Sequence, residues 1–231
     1  MQSVFARPDE SFSLIDADLI KLNNDVVREI IGFIRPALTD SAIKPAVRDY
    51  LHGGDDKQII VAKYGDISNW DVSRVTDMSC MFLEDEDCDL LDGTEFFNQP
   101  LNKWNVSNVR DMTMMFGGIS SFDQPLNDWN VSNVETMGGM FVGARSFNHP
   151  LNDWDVSNVR VMSFMFQDAS SFNQPLNKWN VSNVTDMGGM FVDAGSFNQP
   201  LNDWDVSNVT DMSFMFRGLS SSINQTTIGM S

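Results

Sequence analysis

The sequence predicts a repeat solenoid of six coils of about 25 residues, with short strands and one-turn helices, plus an α-helical N-terminal cap. Three observations predict it. The tryptophans stand at Trp70, Trp104, Trp129, Trp154, Trp179 and Trp204; the last five are 25 residues apart, and the first gap of 34 is 25 plus a nine-residue insertion. Twelve of the fifteen methionines fall in two columns, Met78 to Met212 and Met81 to Met215, and a phenylalanine follows each member of the second, from Phe82 to Phe216. A 25-residue unit cannot bury such an apolar stripe alone, whereas stacked copies bury it against one another.

The elements follow in chain order. Residues 1–60 do not repeat and read as a helical capping segment. Within it, Asn24 or Asp25 can cap an amphipathic helix that runs from Leu19 to the stop at Pro36. A second helix is expected across Ala42 to Leu51, ended by His52-Gly53-Gly54, and Gln58 to Lys63 reads as strand or helix leading into the first unit. Residues 61–216 hold the six units. In each, the Trp-x-Val step has period two and predicts a short strand, and the Met-x-x-Met-Phe step predicts one turn of helix. The Phe-Asn-Gln-Pro segment is turn chemistry. An acidic insertion at 83–95, with seven acids and no base, interrupts the rhythm after the first unit. Residues 217–231 are a decayed repeat or tail, in which Ser222-Ile223-Asn224-Gln225 echoes Phe-Asn-Gln-Pro out of register.

Composition narrows the function. The chain has 231 residues, 32 acidic and 15 basic side chains and a net charge of −17, which repels phosphate and disfavours nucleic acid. A hydrophobic fraction of 42% excludes disorder over the whole chain. No apolar run approaches the roughly 20 residues that span a bilayer, and the start lacks the apolar core of a secretory signal. Two cysteines, Cys80 and Cys88, make no disulfide framework. A cytoplasmic or virion-associated location is the expectation.

Chemistry is not expected. His52 and His149 have no repeated partner, and His149 replaces the glutamine of Gln99, Gln124, Gln174 and Gln199. There is no phosphate loop, zinc spacing or nucleophile elbow, so the sequence predicts no enzyme, no catalytic or metal residue and no cofactor. The acidic insertion could hold calcium but lacks the EF-hand spacing, and the plainer expectation is a solvated loop. The Asn column Asn108, Asn133, Asn158, Asn183 and Asn208 is expected to satisfy backbone groups from unit to unit.

Binding information lies in columns that vary. The residue before each Trp runs Asn69, Lys103, Asp128, Asp153, Lys178, Asp203, an exposed charged row. The slot two after the first Met runs Cys80, Met114, Gly139, Phe164, Gly189, Phe214, so that aromatics alternate with glycines every 50 residues. Phe164 and Phe214 either face a partner or pack on the glycine of a neighbouring unit. Lys103, Asp128, Asp153, Lys178, Asp203, Phe164 and Phe214 are the candidate partner-binding residues. The frayed C-terminal end is a further candidate for a contact with a protein partner or with a second copy.

The string Tyr64-Gly65-Asp66-Ile67-Ser68-Asn69-Trp70-Asp71-Val72-Ser73-Arg74-Val75-Thr76-Asp77-Met78 and its echoes resemble the BspA-like surface-protein repeat over about two-thirds of the chain. That resemblance implies a leucine-rich-repeat-like solenoid and a role in surface binding or adhesion. The Leu22-Asn23-Asn24-Asp25-Val26-Val27-Arg28-Glu29-Ile30-Ile31-Gly32-Phe33-Ile34 string is similar to the first helix of an F-box, although the usual downstream tryptophan is missing. Three functions are therefore expected in order: a non-enzymatic protein-binding or scaffold module; a structural assembly subunit, such as a minor component of a large DNA virus particle; and an F-box-type substrate adaptor for a ubiquitin ligase.

Overall fold

The computed structural model describes residues 35–84 and 90–219. The chain divides into two compact units, Met1–Pro36 and Ala37–Ser231. The helix read from Leu19 to Pro36 lies outside the described residues except for Arg35 and Pro36, which are not helical, and the F-box resemblance, the centre of the acidic insertion and the tail echo lie outside them too. Every described element belongs to the second unit.

Two helices open it. Helix α1 runs Asp40–His52 and buries Ile43, Ala46, Val47 and Tyr50, the three-and-four spacing of one helical face. Gly53 ends it at φ 80° and ψ −157°, a positive-φ conformation that glycine adopts without a Cβ clash. Helix α2 runs Gly54–Tyr64 and buries Ile60 and Tyr64, so the segment Gln58 to Lys63 is helical. Two single 3₁₀ turns follow, Ile67–Asn69 and Thr94–Phe96.

The fold class expected from the sequence is not what forms. Among the described residues there is no strand, and the repeats contain none of the expected one-turn helices; no solenoid of short strands is seen. Pairing between repeats is reduced to isolated parallel bridges, Asp77 with Asp111, Asp111 with Thr136, Thr136 with Val161, Val161 with Asp186 and Asp186 with Asp211.

The backbone explains both failures. The Trp-x-Val step is folded into tight turns, with Trp104 N donating to Leu101 O and Val109 N to Val106 O, so its period of two is not that of a strand. The Met-x-x-Met step is interrupted by a left-handed residue two positions after the first Met: Cys80, Met114, Gly139, Phe164, Gly189 and Phe214 all have φ between 49° and 63°. A left-handed residue cannot continue a right-handed helical turn. The amides there alternate instead. Met115 N and Gly117 N close turns on Met112 O and Met114 O. Between them Met112 N, Met114 N, Phe116 N and Gly118 N donate to Thr136, Gly138, Met140 and Val142 of the next repeat, at 3.0, 2.8, 2.9 and 2.7 Å. The spacing of three and four thus marks linked turns, each locked to its neighbour along the array.

Side chains follow the same register. Phe116, Phe141, Phe166 and Phe191 stack at 5.6 Å between centroids, within 12° of parallel. A second column, Phe122, Phe147, Phe172 and Phe197, stacks at 6.0 to 6.1 Å and touches the first at 4.1 to 4.3 Å. From Trp104 on, each indole is tied one repeat back, as in Trp154 Nε1 to Leu126 O and Trp179 Nε1 to Leu151 O, at 3.0 and 2.9 Å, whereas Trp70 Nε1 donates locally to Gly65 O. The Met, Phe and Trp columns are fully buried through the middle of the array, so the skewed composition is core.

Helix α1 finishes the first repeat. Leu38 N donates to Asp71 O, and the Asp40 carboxylate accepts from Thr76 N, Thr76 Oγ1 and Asp77 N at 2.6, 2.7 and 3.1 Å. In the next repeat the corresponding amides, Arg110 N and Asp111 N, both point to a single carbonyl, Thr76 O. Asp40 therefore stands in for the carbonyl of a preceding repeat. Burial pushes its carboxyl up, but the Thr76 and Asp77 hydrogen bonds and nearby Lys44 outweigh that and hold it below the ordinary value.

Candidate partner-binding surface

The charged row lies where the sequence reading puts it, on the outside. Lys103, Asp128, Asp153, Lys178 and Asp203 are all exposed, because the turn before each Trp carries them out while the indole goes in. Neighbours within the row meet along the array. Lys178 Nζ lies 2.7 Å from Asp153 Oδ1, and Lys103 Nζ donates to Asn69 Oδ1 at 3.2 Å. These pairs are solvated on both sides, so they set the spacing of charge more than they stabilise the fold.

Phe164 and Phe214 are the other candidates, at 49% and 69% exposure. Both occupy the left-handed slot. Phe164 lies on Gly189 of the next repeat so closely that a Cβ there would overlap its ring, and Met114 covers Gly139 in the same way. The glycine alternation is therefore a packing pattern first: a large side chain on one repeat requires none on the next. Phe214 has Arg217 beside its ring, with the guanidinium carbon 5.9 Å from the centroid. Among the described residues, no hydrogen bond, ion pair or ring contact joins the charged row to these two phenylalanines.

Between the rows run amide ladders. Nδ2 of Asn108, Asn133, Asn158, Asn183 and Asn208 donates to the carbonyls of Ser73, Ser107, Ser132, Ser157 and Ser182, at 2.7 to 2.8 Å. The residue after each Trp closes a local turn, as in Ser73 N and Ser207 N on the carboxylates of Asp71 and Asp205. Hydrogen bonds from Ser73 and Ser207 hold both carboxyls below their ordinary range. Asn98, Asp123, Asn148 and Asn173 form another ladder, each accepting from the backbone amide 25 residues on. The Asn column is thus committed to the backbone.

Some surface features escaped the reading by columns. His149 contacts both the backbone and the side chain of Asp123, with Nε2 3.1 Å from Asp123 O and 3.1 Å from Oδ1. The signal was a paired departure: aspartate enters the Asn column one repeat before histidine enters the Gln column. Arg110 Nη1 meets Glu135 Oε1 at 2.7 Å across adjacent repeats. Phe96 is 79% exposed and fills a slot held elsewhere by Ser121, Ser146, Ser171 and Ser196. Within the acidic insertion an antiparallel bridge joins Leu83 to Leu90. Among the described residues no three His, Cys, Asp or Glu side chains come together as metal ligands, and no helix is long and apolar enough to cross a membrane.

No curated protein and no solved structure matches the chain. Residues 61–169 and, overlapping them, 126–229 match the family described as "Mycoplasma protein of unknown function, DUF285". The match begins at the C-terminal half of α2 and takes in every repeat and its ladders, and on that extent the chain belongs to the DUF285 family.

Proposed function

We propose that the protein is a non-enzymatic binding or scaffold module of the BspA-like type, which recognises a protein partner along the side of its repeat array. One observation carries the reading: the exposed row Lys103, Asp128, Asp153, Lys178, Asp203 varies in sign while the buried leucine and tryptophan columns that flank it in sequence do not vary over the same five repeats. A row of charges at fixed spacing on a close-packed core is pre-organised, so a partner of matching charge binds it without ordering it first. The overall charge of −17 favours a basic partner, and the two lysines set its register against the array.

The test is capture from a lysate of the producing organism with the wild-type chain and with the double variant Lys103→Glu, Lys178→Glu. The wild type should retain a defined partner, and the variant should lose it at an unchanged melting temperature. Equal capture by the two chains, or no partner for the wild type, overturns the reading.

A further inference from the structure

The two ends of the repeat array are finished differently. At the first repeat, α1 covers the core and the Asp40 carboxylate supplies the acceptor that a preceding repeat would provide. At the sixth repeat the ladder stops in mid-pattern. The amides of Met187, Gly189, Phe191 and Asp193 each donate to the repeat that follows, at 2.8 to 2.9 Å. Their counterparts in the sixth repeat, Met212, Phe214, Phe216 and Gly218, meet no acceptor among the described residues. Three acceptors wait on the same edge. The carbonyls of Leu176, Ser182 and Thr185 receive the Trp204 indole, the Asn208 amide and Thr210 N of the following repeat. Leu201, Ser207 and Thr210 hold the same places one repeat later and, among the described residues, receive nothing from beyond the edge. The apolar surface is also open: Val206, Val209, Met212, Phe216 and Leu219 are only partly buried, although the matching residues of the fifth repeat are fully buried.

We infer that this edge is a docking site for one complete repeat of the same type carried by another protein chain. The interface it continues is already made five times within the molecule, and that interface states what the occupant must bring. Its backbone carbonyls must fall at every second residue, to meet Met212, Phe214, Phe216 and Gly218. It needs a tryptophan indole for Leu201 O and an asparagine amide for Ser207 O. Opposite Phe214 it must carry glycine, since Phe164 lies on Gly189 and leaves no room for a Cβ. A second copy of this chain does not fit. Its own sixth repeat offers the same row of donors and only widely spaced carbonyls, and its first repeat is covered by α1. Four paired amides and a covered apolar face replace an edge that, among the described residues, has neither acceptor nor cover.

This inference rests on the reading of the chain as a binding module but uses a different surface, so the two can fail separately. The probe is a fluorescent synthetic peptide of Phe172–Ser196, the repeat that follows Phe164 in this chain, titrated into the full-length protein by anisotropy. It should bind saturably, and a scrambled peptide should not. A Gly189→Phe peptide should bind the wild-type protein at least tenfold more weakly, and a Phe214→Gly protein should accept that peptide again. Recovery in the second pairing shows that the protein variant is folded and that fit at this slot decides binding. Absence of binding by the Phe172–Ser196 peptide, equal binding of the scrambled peptide, or no discrimination at Gly189 overturns the inference. Loss of partner capture by the lysine double variant in that event would leave the side-row reading standing.

Discussion

Gly189 and Phe164 show how single residues govern the array. Gly189 sits at φ 63° with the Phe164 ring against its Cα. Gly143 is also left-handed, at φ 67°, but its nearest neighbours are backbone atoms of Gly118 at 3.6 Å and beyond. Alanine at Gly143 therefore meets mainly backbone strain, of about 1 kcal/mol. Alanine at Gly189 adds a collision with a packed ring, for a total of about 2 to 4 kcal/mol. Urea unfolding of the two variants should separate them by that difference, and adding Phe164→Gly to Gly189→Ala should remove the excess. Equal destabilisation at both glycines would mean that the ring yields and the packing pattern is not enforced. The alternation was legible in the sequence as a 50-residue period, but its cause was not. Nothing in a string of letters says that one slot is left-handed, and a Phe in such a slot runs against propensity.

Among the elements, α1 makes the sharpest prediction, because it is joined to the first repeat through a titrating group. The Asp40 and Asp66 carboxyls both lie below the ordinary value of 3.8 in the folded chain. Asp66 is held there chiefly by the Ser68 hydroxyl, with burial opposing and the Ser68 amide and Tyr50 assisting. A group with a depressed folded value binds fewer protons folded than unfolded, so its stabilisation is present above 3.8 and lost as pH falls through the lower folded value. Asp40→Asn should thus melt lower at neutral pH and show a shallower loss of melting temperature through the acid range. A slope identical to wild type would remove Asp40 from the linkage. On the alkaline side, burial and the adjacent Asp66 raise Tyr50 to about 12, so stability should rise between pH 10 and about 12 only if the phenolate were favoured; the shift runs the other way, and stability should fall across that range. α1 itself was legible, because its apolar residues keep helical spacing and Gly53 closes it. The repeats depart from the expected strand and helical turn for a specific reason. Linked turns that close every three residues while sending alternate amides outward imitate both periods at once, and burial pattern alone cannot separate them.

Over the whole molecule, the repeats form a one-dimensional array in which each contacts its neighbours, so stability should be graded toward the sixth repeat, which no further repeat follows among the described residues. The amides of Met112, Met137, Met162 and Met187 are paired with the following repeat, and that of Met212 has no such partner among the described residues. Hydrogen exchange followed by mass spectrometry should show peptides covering 206–218 exchanging at least tenfold faster than those covering 156–168, and the Phe172–Ser196 peptide should slow the former. Uniform protection from the second repeat to the sixth would deny that the last edge is open. The array as such, its period and its buried columns were plain in the sequence. The open edge was legible only as decay of the motif, since hydrogen-bond polarity is a property of the backbone.

The Phe164–Gly189 contact also imposes a parity on how such a chain can lengthen. From the third repeat to the sixth the slot reads Gly139, Phe164, Gly189, Phe214. Duplicating a single block of 25 residues would set ring on ring or leave two glycines facing each other, a collision or a void. Duplicating 50 preserves the ring-on-glycine contact at every junction. Growth by tandem duplication is therefore expected in even steps, and designed arrays built from these blocks should tolerate four or six inserted repeats better than three or five.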